Sequence, residues 1–90
     1  MSIRTLVPSY LQSYTNNMET ASVSGGTVGE CLNDLIRQFP DIEKMLYDKS
    51  GELLDYVTLF VNEEDTYPDN LAKPVKDGDV LQLAYLIAGG

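Results

Sequence analysis

The stretch Thr27-Val28-Gly29-Glu30-Cys31-Leu32-Asn33-Asp34-Leu35-Ile36-Arg37-Gln38-Phe39-Pro40 decides how this chain folds. Thr27 and Glu30 have the spacing of a capping box. The threonine hydroxyl can accept from the Glu30 N–H, and the glutamate can reach back to the N–H of Thr27. Behind the box, Val28, Cys31, Leu32, Leu35, Ile36 and Phe39 recur at intervals of three and four, which is one apolar stripe of an amphipathic helix. Asn33, Asp34, Arg37 and Gln38 fall on the wet side. Phe39 precedes proline, which disfavours helical geometry there and ends the helix.

Upstream, Ile3 to Val7 is rich in β-branched residues and stops at Pro8, as a first strand would. Tyr10-Leu11 is expected to pack under the loop that follows. Asn16-Asn17 is a turn signal, and Glu19 to Val23 reads as a second strand, antiparallel to the first. Downstream, Pro40 can open a short second helix with Ile42, Met45 and Leu46 on its apolar edge. Asp48 to Gly51 is a turn, and Leu53-Leu54 is a short extended piece or a loop anchor. Tyr56 to Asn62 is a strong strand with Val57, Leu59 and Val61 on one face and Thr58 and Phe60 on the other. Glu63-Glu64-Asp65 reads as a tight acidic turn, with Thr66-Tyr67 returning as a short strand. Leu71 and Val75 anchor the next loop. Asp77-Gly78 is a hairpin-type turn signal, and Val80 to Leu86 is the last strand, with Leu81, Leu83 and Tyr85 on one face. Runs of strands around one main helix give an α+β fold, a mixed sheet packed on that helix. Residues 1–86 form the domain and 87–90 a tail.

Composition narrows the function. Ninety residues support one small core, burying roughly 60–65 % of the unfolded surface. With no histidine and a single cysteine, Cys31, the chain lacks the usual general base, an internal disulfide and a thiol cluster for zinc. Cys31 lies on the apolar stripe and reads as a core residue. The net charge of −8, with Arg4, Arg37, Lys44, Lys49, Lys73 and Lys76 scattered singly, argues against nucleic acid and against an anionic membrane. It suits solubility or a partner with a basic face. Glu63, Glu64 and Asp65 in one turn lack the convergence of a metal site. No signal peptide or membrane-spanning run is evident, and cytoplasmic residence is expected.

One feature remains that can carry chemistry. Ile87-Ala88-Gly89-Gly90 follows the last strand, and two glycines there cannot help the core. Fraying is the plain alternative. Phe60, Ala84 and Leu86 share the strand face opposite the core. If that face is open to solvent they form an apolar docking patch beside the tail; otherwise the segment from Pro40 to Tyr56 covers it.

Three pieces of this sequence resemble the ThiS/MoaD-type sulfur-carrier family of ubiquitin-like β-grasp proteins. They are Thr27 to Glu30 with its helix, Leu59-Phe60-Val61-Asn62-Glu63-Glu64-Asp65, and Asp77-Gly78-Asp79-Val80 through Ile87-Ala88-Gly89-Gly90. The length of the Pro40 to Tyr56 segment tilts the resemblance toward the carriers that serve a cysteine synthase or molybdopterin synthase. The resemblance implies a carrier or substrate protein, not an enzyme, with no bound cofactor. Gly90 would be adenylated at the expense of ATP by an E1-like activating enzyme and converted by a sulfur donor to a thiocarboxylate. Gly89, Ala88 and Ile87 would give it access to a narrow cleft, reaching roughly 13–14 Å when extended. The implied acceptors are a pyridoxal-phosphate-dependent cysteine or homocysteine synthase, a thiazole synthase or the large subunit of molybdopterin synthase, with a metalloprotease to release product. The same tail would serve a protein modifier joined to lysine through Gly90, an accessory subunit of molybdopterin synthase, or a bare interaction module.

Overall fold

The structure, a computed structural model, describes residues 2–85; the proposed boundary at residue 86 and the tail at 87–90 lie outside the described residues. Five strands form one sheet: β1 (Ile3–Leu6), β2 (Thr20–Val23), β3 (Val57–Val61), β4 (Glu64–Asp65) and β5 (Val80–Tyr85), in the order β2-β1-β5-β3-β4. β5 is the central strand. It runs parallel to β1, with Thr5 opposite Leu81, and antiparallel to β3, with Leu59 opposite Leu83. The remaining pairs are antiparallel.

Alternation along the strands selects the buried face. Ile3, Thr5, Ala21, Val23, Val57, Leu59, Val61, Leu81 and Leu83 are all buried, and they face α1 (Val28–Gln38). Val28, Cys31, Leu32 and Leu35 are buried on the helix side, with Ile36 and Phe39 packed at the margin. The helix ends at Phe39, as the following proline dictates. Pro40–Met45 is a 3-10 helix whose Ile42 is buried, with Leu46 buried just beyond it. The expected α+β architecture, a mixed sheet on one main helix with a short second helix, is what forms.

Several local expectations change. Ser9–Tyr14 is a further 3-10 helix, with Leu11 buried but Tyr10 substantially exposed. Its turn signal holds: Asn16 and Asn17 both take positive φ, 55° and 63°. The second strand starts at Thr20, one residue later than expected. Thr27 Oγ1 accepts from Glu30 N at 3.2 Å, but Glu30 Oε1 accepts from Gly26 N at 2.7 Å, so the return arm of the capping box lands one residue earlier. Asp34 is buried rather than wet. Its carboxylate accepts from Ser24 N at 3.0 Å and Gln38 Nε2 at 3.2 Å and pairs with Arg37, tying the end of β2 to the helix. The loop after β3 is Asn62-Glu63, at φ 52° and 71°, and Glu64-Asp65 is already the return strand. A two-residue hairpin loop of type I′ needs positive φ at both positions, and a glutamate in that role conceals it. Adjacent strand residues point to opposite faces, so Glu64 and Asp65 diverge. Among the described residues no group of three or more His, Cys, Asp or Glu could hold a metal ion.

Asp77-Gly78 does form a turn, with Gly78 at φ 91° and Asp79 N donating to Lys76 O at 3.0 Å. It closes no hairpin, because it feeds β5 into the middle of the sheet beside β1. Ser2 N donates to Asp77 Oδ1 at 2.7 Å and Gly78 N to Ser2 O at 3.2 Å, so the turn is fastened to the start of β1.

Candidate functional site at the end of the central strand

β5 is held at both ends. At its start, two of the sequence pieces singled out above interlock. Asn62 Nδ2 donates to Asp79 Oδ1 at 3.0 Å, and Asn62 Oδ1 accepts from Val80 N at 2.9 Å. Asp79 Oδ2 accepts from Lys76 N at 2.9 Å. The Asn62 amide, followed by the Lys76 N–H, holds the Asp79 carboxyl below its ordinary range despite burial. Asn62 sits at φ 52°, which asparagine tolerates better than most residues. Asn62 and Asp79 are therefore fastenings of the strand rather than reactive groups.

At its far end, where the chain departs toward residue 86, β5 ends on Tyr85. Its ring meets Tyr10 at 4.3 Å between centroids and Tyr56 edge-on at 4.9 Å, and its hydroxyl donates to the Met45 carbonyl. Offset and edge-to-face rings at such separations attract. Three separate elements thus grip one residue: the Ser9–Tyr14 helix, the approach to β3 and the Pro40–Met45 helix. Partial burial, with Tyr85 adjacent, pushes the Tyr10 phenol up to about 12; burial, then Tyr56 and Tyr14, raises Tyr85. Both hydroxyls stay protonated near neutral pH and remain donors. Tyr10 and Tyr56 are 43 % and 45 % exposed, so the grip also presents two aromatic rings to solvent beside the strand's end.

Leu86, Ile87, Ala88, Gly89 and Gly90 lie outside the described residues. Of the expected docking patch, Phe60 and Ala84 are described: both are half-buried on the face opposite the core, Phe60 paired with Gln82 and Asp65, Ala84 with Thr58. They are diagonal neighbours. The segment between Pro40 and Tyr56 turns inward on the other, helix side. Leu46 is buried, Leu54 N donates to Leu46 O at 2.8 Å, and the Met45 carbonyl takes the Tyr85 hydroxyl.

The tyrosine grip was missed in the sequence because its rings come from positions 10, 56 and 85. Only Tyr85, by its parity in the last strand, could be assigned to the core side. Cys31 is fully buried; burial, then Asp34 and Glu30, raises its thiol, which suits a core residue and not a nucleophile.

Residues 6–90 match the profile of the ThiS family. Among curated proteins, the sulfur carrier protein CysO of Mycobacterium tuberculosis is 32 % identical over 93 residues, covering all of both chains. Among solved structures, the chain is similar to one from the Amycolatopsis orientalis BexX/CysO complex, with a TM-score of 0.88, 28 % identity and coverage of 98 % and 99 %. It is also similar to SAMP1 from Haloferax volcanii, with a TM-score of 0.86, 26 % identity and complete coverage of both chains. With the profile spanning nearly the whole sequence and the β-grasp architecture in place, the chain belongs to the ThiS family.

Proposed function

We propose that this chain is a sulfur carrier and that the reacting atom is the carboxyl carbon of Gly90. The observation that carries the reading is the reach of the family match through Gly90. The full-length similarity to a sulfur carrier protein supports it, as does a central strand whose last described residue is gripped from three sides.

A carboxylate is a poor electrophile. In the proposed first step, a Gly90 carboxylate oxygen attacks the α-phosphorus of ATP on an E1-like activating enzyme, and pyrophosphate leaves. A sulfide-level sulfur donor then attacks the carbonyl carbon; the C–O bond to AMP breaks and a C–S bond forms. The thiocarboxylate sulfur is the nucleophile delivered to the acceptor, a cysteine or homocysteine synthase or another sulfur-accepting synthase. Hydrolysis of the acyl bond, the role of a metalloprotease in this scheme, returns the carboxylate. The chain supplies the acyl group, and the partners supply catalysis. The cytoplasm is where this scheme places it. Without Cβ atoms, Gly89 and Gly90 pass through a cleft too narrow for larger residues. Phe60, Ala84 and Leu86 are the proposed docking patch on the outer sheet face, and Ile87 and Ala88 bridge it to the glycines.

The test is intact-mass analysis of the chain ending at Gly90 after incubation with a ThiS-type activating enzyme, ATP and sulfide. The expected change is replacement of one oxygen by one sulfur, lost in Gly90→Ala with the fold intact. No change in the unsubstituted chain refutes the reading. The similarity to SAMP1 favours a second reading, a modifier joined through Gly90 to lysine; ladders of conjugated proteins instead of a sulfur gain would establish it.

A further inference from the structure

The sheet has two edges, and they are built differently. β4, at one edge, is only Glu64–Asp65, and both residues carry charge. Short length and charge keep an edge from pairing with another chain. β2, at the other edge, is Thr20-Ala21-Ser22-Val23, with neither charge nor proline. Its backbone directions follow from parity. Val7 N donates to Glu19 O at 2.8 Å, so Glu19, Ala21 and Val23 turn their polar backbone groups toward β1. Thr20 and Ser22 turn theirs away from the sheet.

α1 covers one end of this edge. Gln38 Nε2 donates to Ser22 O at 2.9 Å, and Ser24 N donates to Asp34 Oδ2 at 3.0 Å. Among the described residues, no other group meets the Ser22 N–H or the N–H and C=O of Thr20. Thr20 and Ser22 are both exposed. The edge therefore offers the N–H of each residue and the Thr20 carbonyl, and Ser22 O keeps a second lone pair beside its bond from Gln38.

A second copy of the chain supplies the complement. With the two strands antiparallel and Ala21 opposite Ala21, Thr20 N–H donates to Ser22 O of the second copy, and Ser22 N–H of that copy donates back to Thr20 O. The two-fold axis repeats the pair. Glu19 shares the parity of Ala21, so its side chain points to the helix side and falls opposite Val23 of the second copy, beside the last turn of α1. There the Arg37 side chain is 78 % exposed, and its guanidinium has donors beyond those facing Asp34. Each Glu19 thus meets Arg37 of the other copy. We propose that the β2 edge pairs with the β2 edge of a second copy, joining two sheets into one in a two-fold dimer. Two four-residue strands bury less than the roughly 1,000 Å² of a stable interface, so the dimer is a weak one. The Tyr85 ends of the two β5 strands lie at opposite ends of the joined sheet, and Phe60 and Ala84 stay uncovered. The inference stands apart from the sulfur-carrier reading.

Sedimentation equilibrium of the full chain reads the dimer. It is run at about 0.15 M salt, where the repulsion between two chains of net charge −8 is screened beyond about 8 Å. Amide hydrogen exchange by NMR on the same samples reads the edge. The expected result is a monomer–dimer equilibrium as concentration rises to about 1 mM. The Thr20 and Ser22 amides gain protection with concentration, while those of Ala21 and Val23 are protected throughout. Glu19→Arg and Arg37→Glu, each checked for folding by circular dichroism and thermal melting, should each weaken Kd about tenfold or more, because like charges then meet at both flanks. Mixed in equal amounts, the two variants should associate as the unsubstituted chain does. The introduced arginine then meets the introduced glutamate on one flank, and Arg37 meets Glu19 on the other. A folding defect in either variant cannot produce that rescue. Should Arg37→Glu fail to fold beside Asp34, the Glu19→Arg result and the amide exchange of the unsubstituted chain decide. A monomer throughout the range overturns the proposal, as does association that ignores both substitutions or is not restored by mixing. Protection of the Thr20 and Ser22 amides that appears only when a different protein is added assigns the edge to that protein and overturns the second copy.

Discussion

Replacing Asn62 by alanine tests whether the start of β5 is fastened as described. The substitution removes a hydrogen bond to the buried, ionised Asp79 and one from Val80 N. The first is worth about 1.5–3 kcal/mol and the second about 0.5–1.5 kcal/mol. Alanine at φ 52° adds about 1–2 kcal/mol of backbone strain that asparagine largely avoids. Asn62 is exposed, so water recovers part of the lost bonding, and the low end of the sum, about 3 kcal/mol, is the expected loss. In a domain of this size that lowers Tm by about 12–24 °C. Glycine at the same position loses the side chain without the strain and should unfold about 1 kcal/mol later than alanine. Urea titration by circular dichroism at neutral pH measures both. An alanine variant within about 0.5 kcal/mol of the original chain, the range of an uninvolved surface site, would falsify the fastening. The same variant should flatten the acid limb. Asp79 titrates below its unfolded value of about 3.9. Its contribution is complete above that value and disappears as pH falls through the folded pKa. Removing Asn62 takes away the largest cause of the shift.

Asp34→Ala should cost about 1–3 kcal/mol, because it removes the charge-assisted hydrogen bonds that the buried Asp34 carboxylate accepts from Ser24 N and Gln38 Nε2. An unchanged urea midpoint would contradict that role. Glu63→Gly should stabilise the hairpin by about 0.5–1 kcal/mol, since Glu63 holds φ 71° in a loop that favours glycine; a loss of stability would refute the strain argument. Gly25→Ala should destabilise, as its Cβ would lie 2.8 Å from both Cys31 N and Glu30 Cβ, and a higher Tm would be the contrary result. Cys31, fully buried with a raised thiol, should react with iodoacetamide only as the fold opens; labelling at the rate of a free cysteine would show otherwise.

What was legible in the sequence followed from period and punctuation. The three-four spacing from Val28 to Phe39 and the proline after it give the helix and its end. The alternation in Val57 to Val61 and Leu81 to Tyr85 gives the core face of two strands. What was not legible depends on atoms brought together by folding. Asp34 has the helical position of a wet residue, yet the approach of Ser24 buries it under three donors. Asn62-Glu63 carries no glycine, so the acidic run disguised where the chain turns. The order of strands was equally hidden. Asp77-Gly78 looks like a hairpin signal, but β5 pairs with β1, more than seventy residues earlier, on one side and β3 on the other. At the candidate site the sequence supplied the glycines and the outer-face residues Phe60 and Ala84. Tyr10, Tyr56 and the Met45 carbonyl entered only with the fold.

The division of labour within β5 explains why these two kinds of feature occur together. A carrier must present one end of its chain repeatedly to different proteins, so the last strand has to resist being pulled out while Gly89 and Gly90 beyond it carry no side chain to obstruct entry. A central strand flanked on both edges meets the first demand better than an edge strand, because its backbone pairs are shared with two neighbours. The Asn62–Asp79 fastening and the Tyr85 grip act at opposite ends of that strand. Loosening the first should therefore lower global stability with little effect on sulfur gain below Tm. Loosening the second, by Tyr85→Ala, should weaken the engagement of Gly90 more than it lowers Tm. A Tyr85→Ala chain that gains sulfur as readily as the original at subsaturating carrier would mean that the grip serves the fold alone.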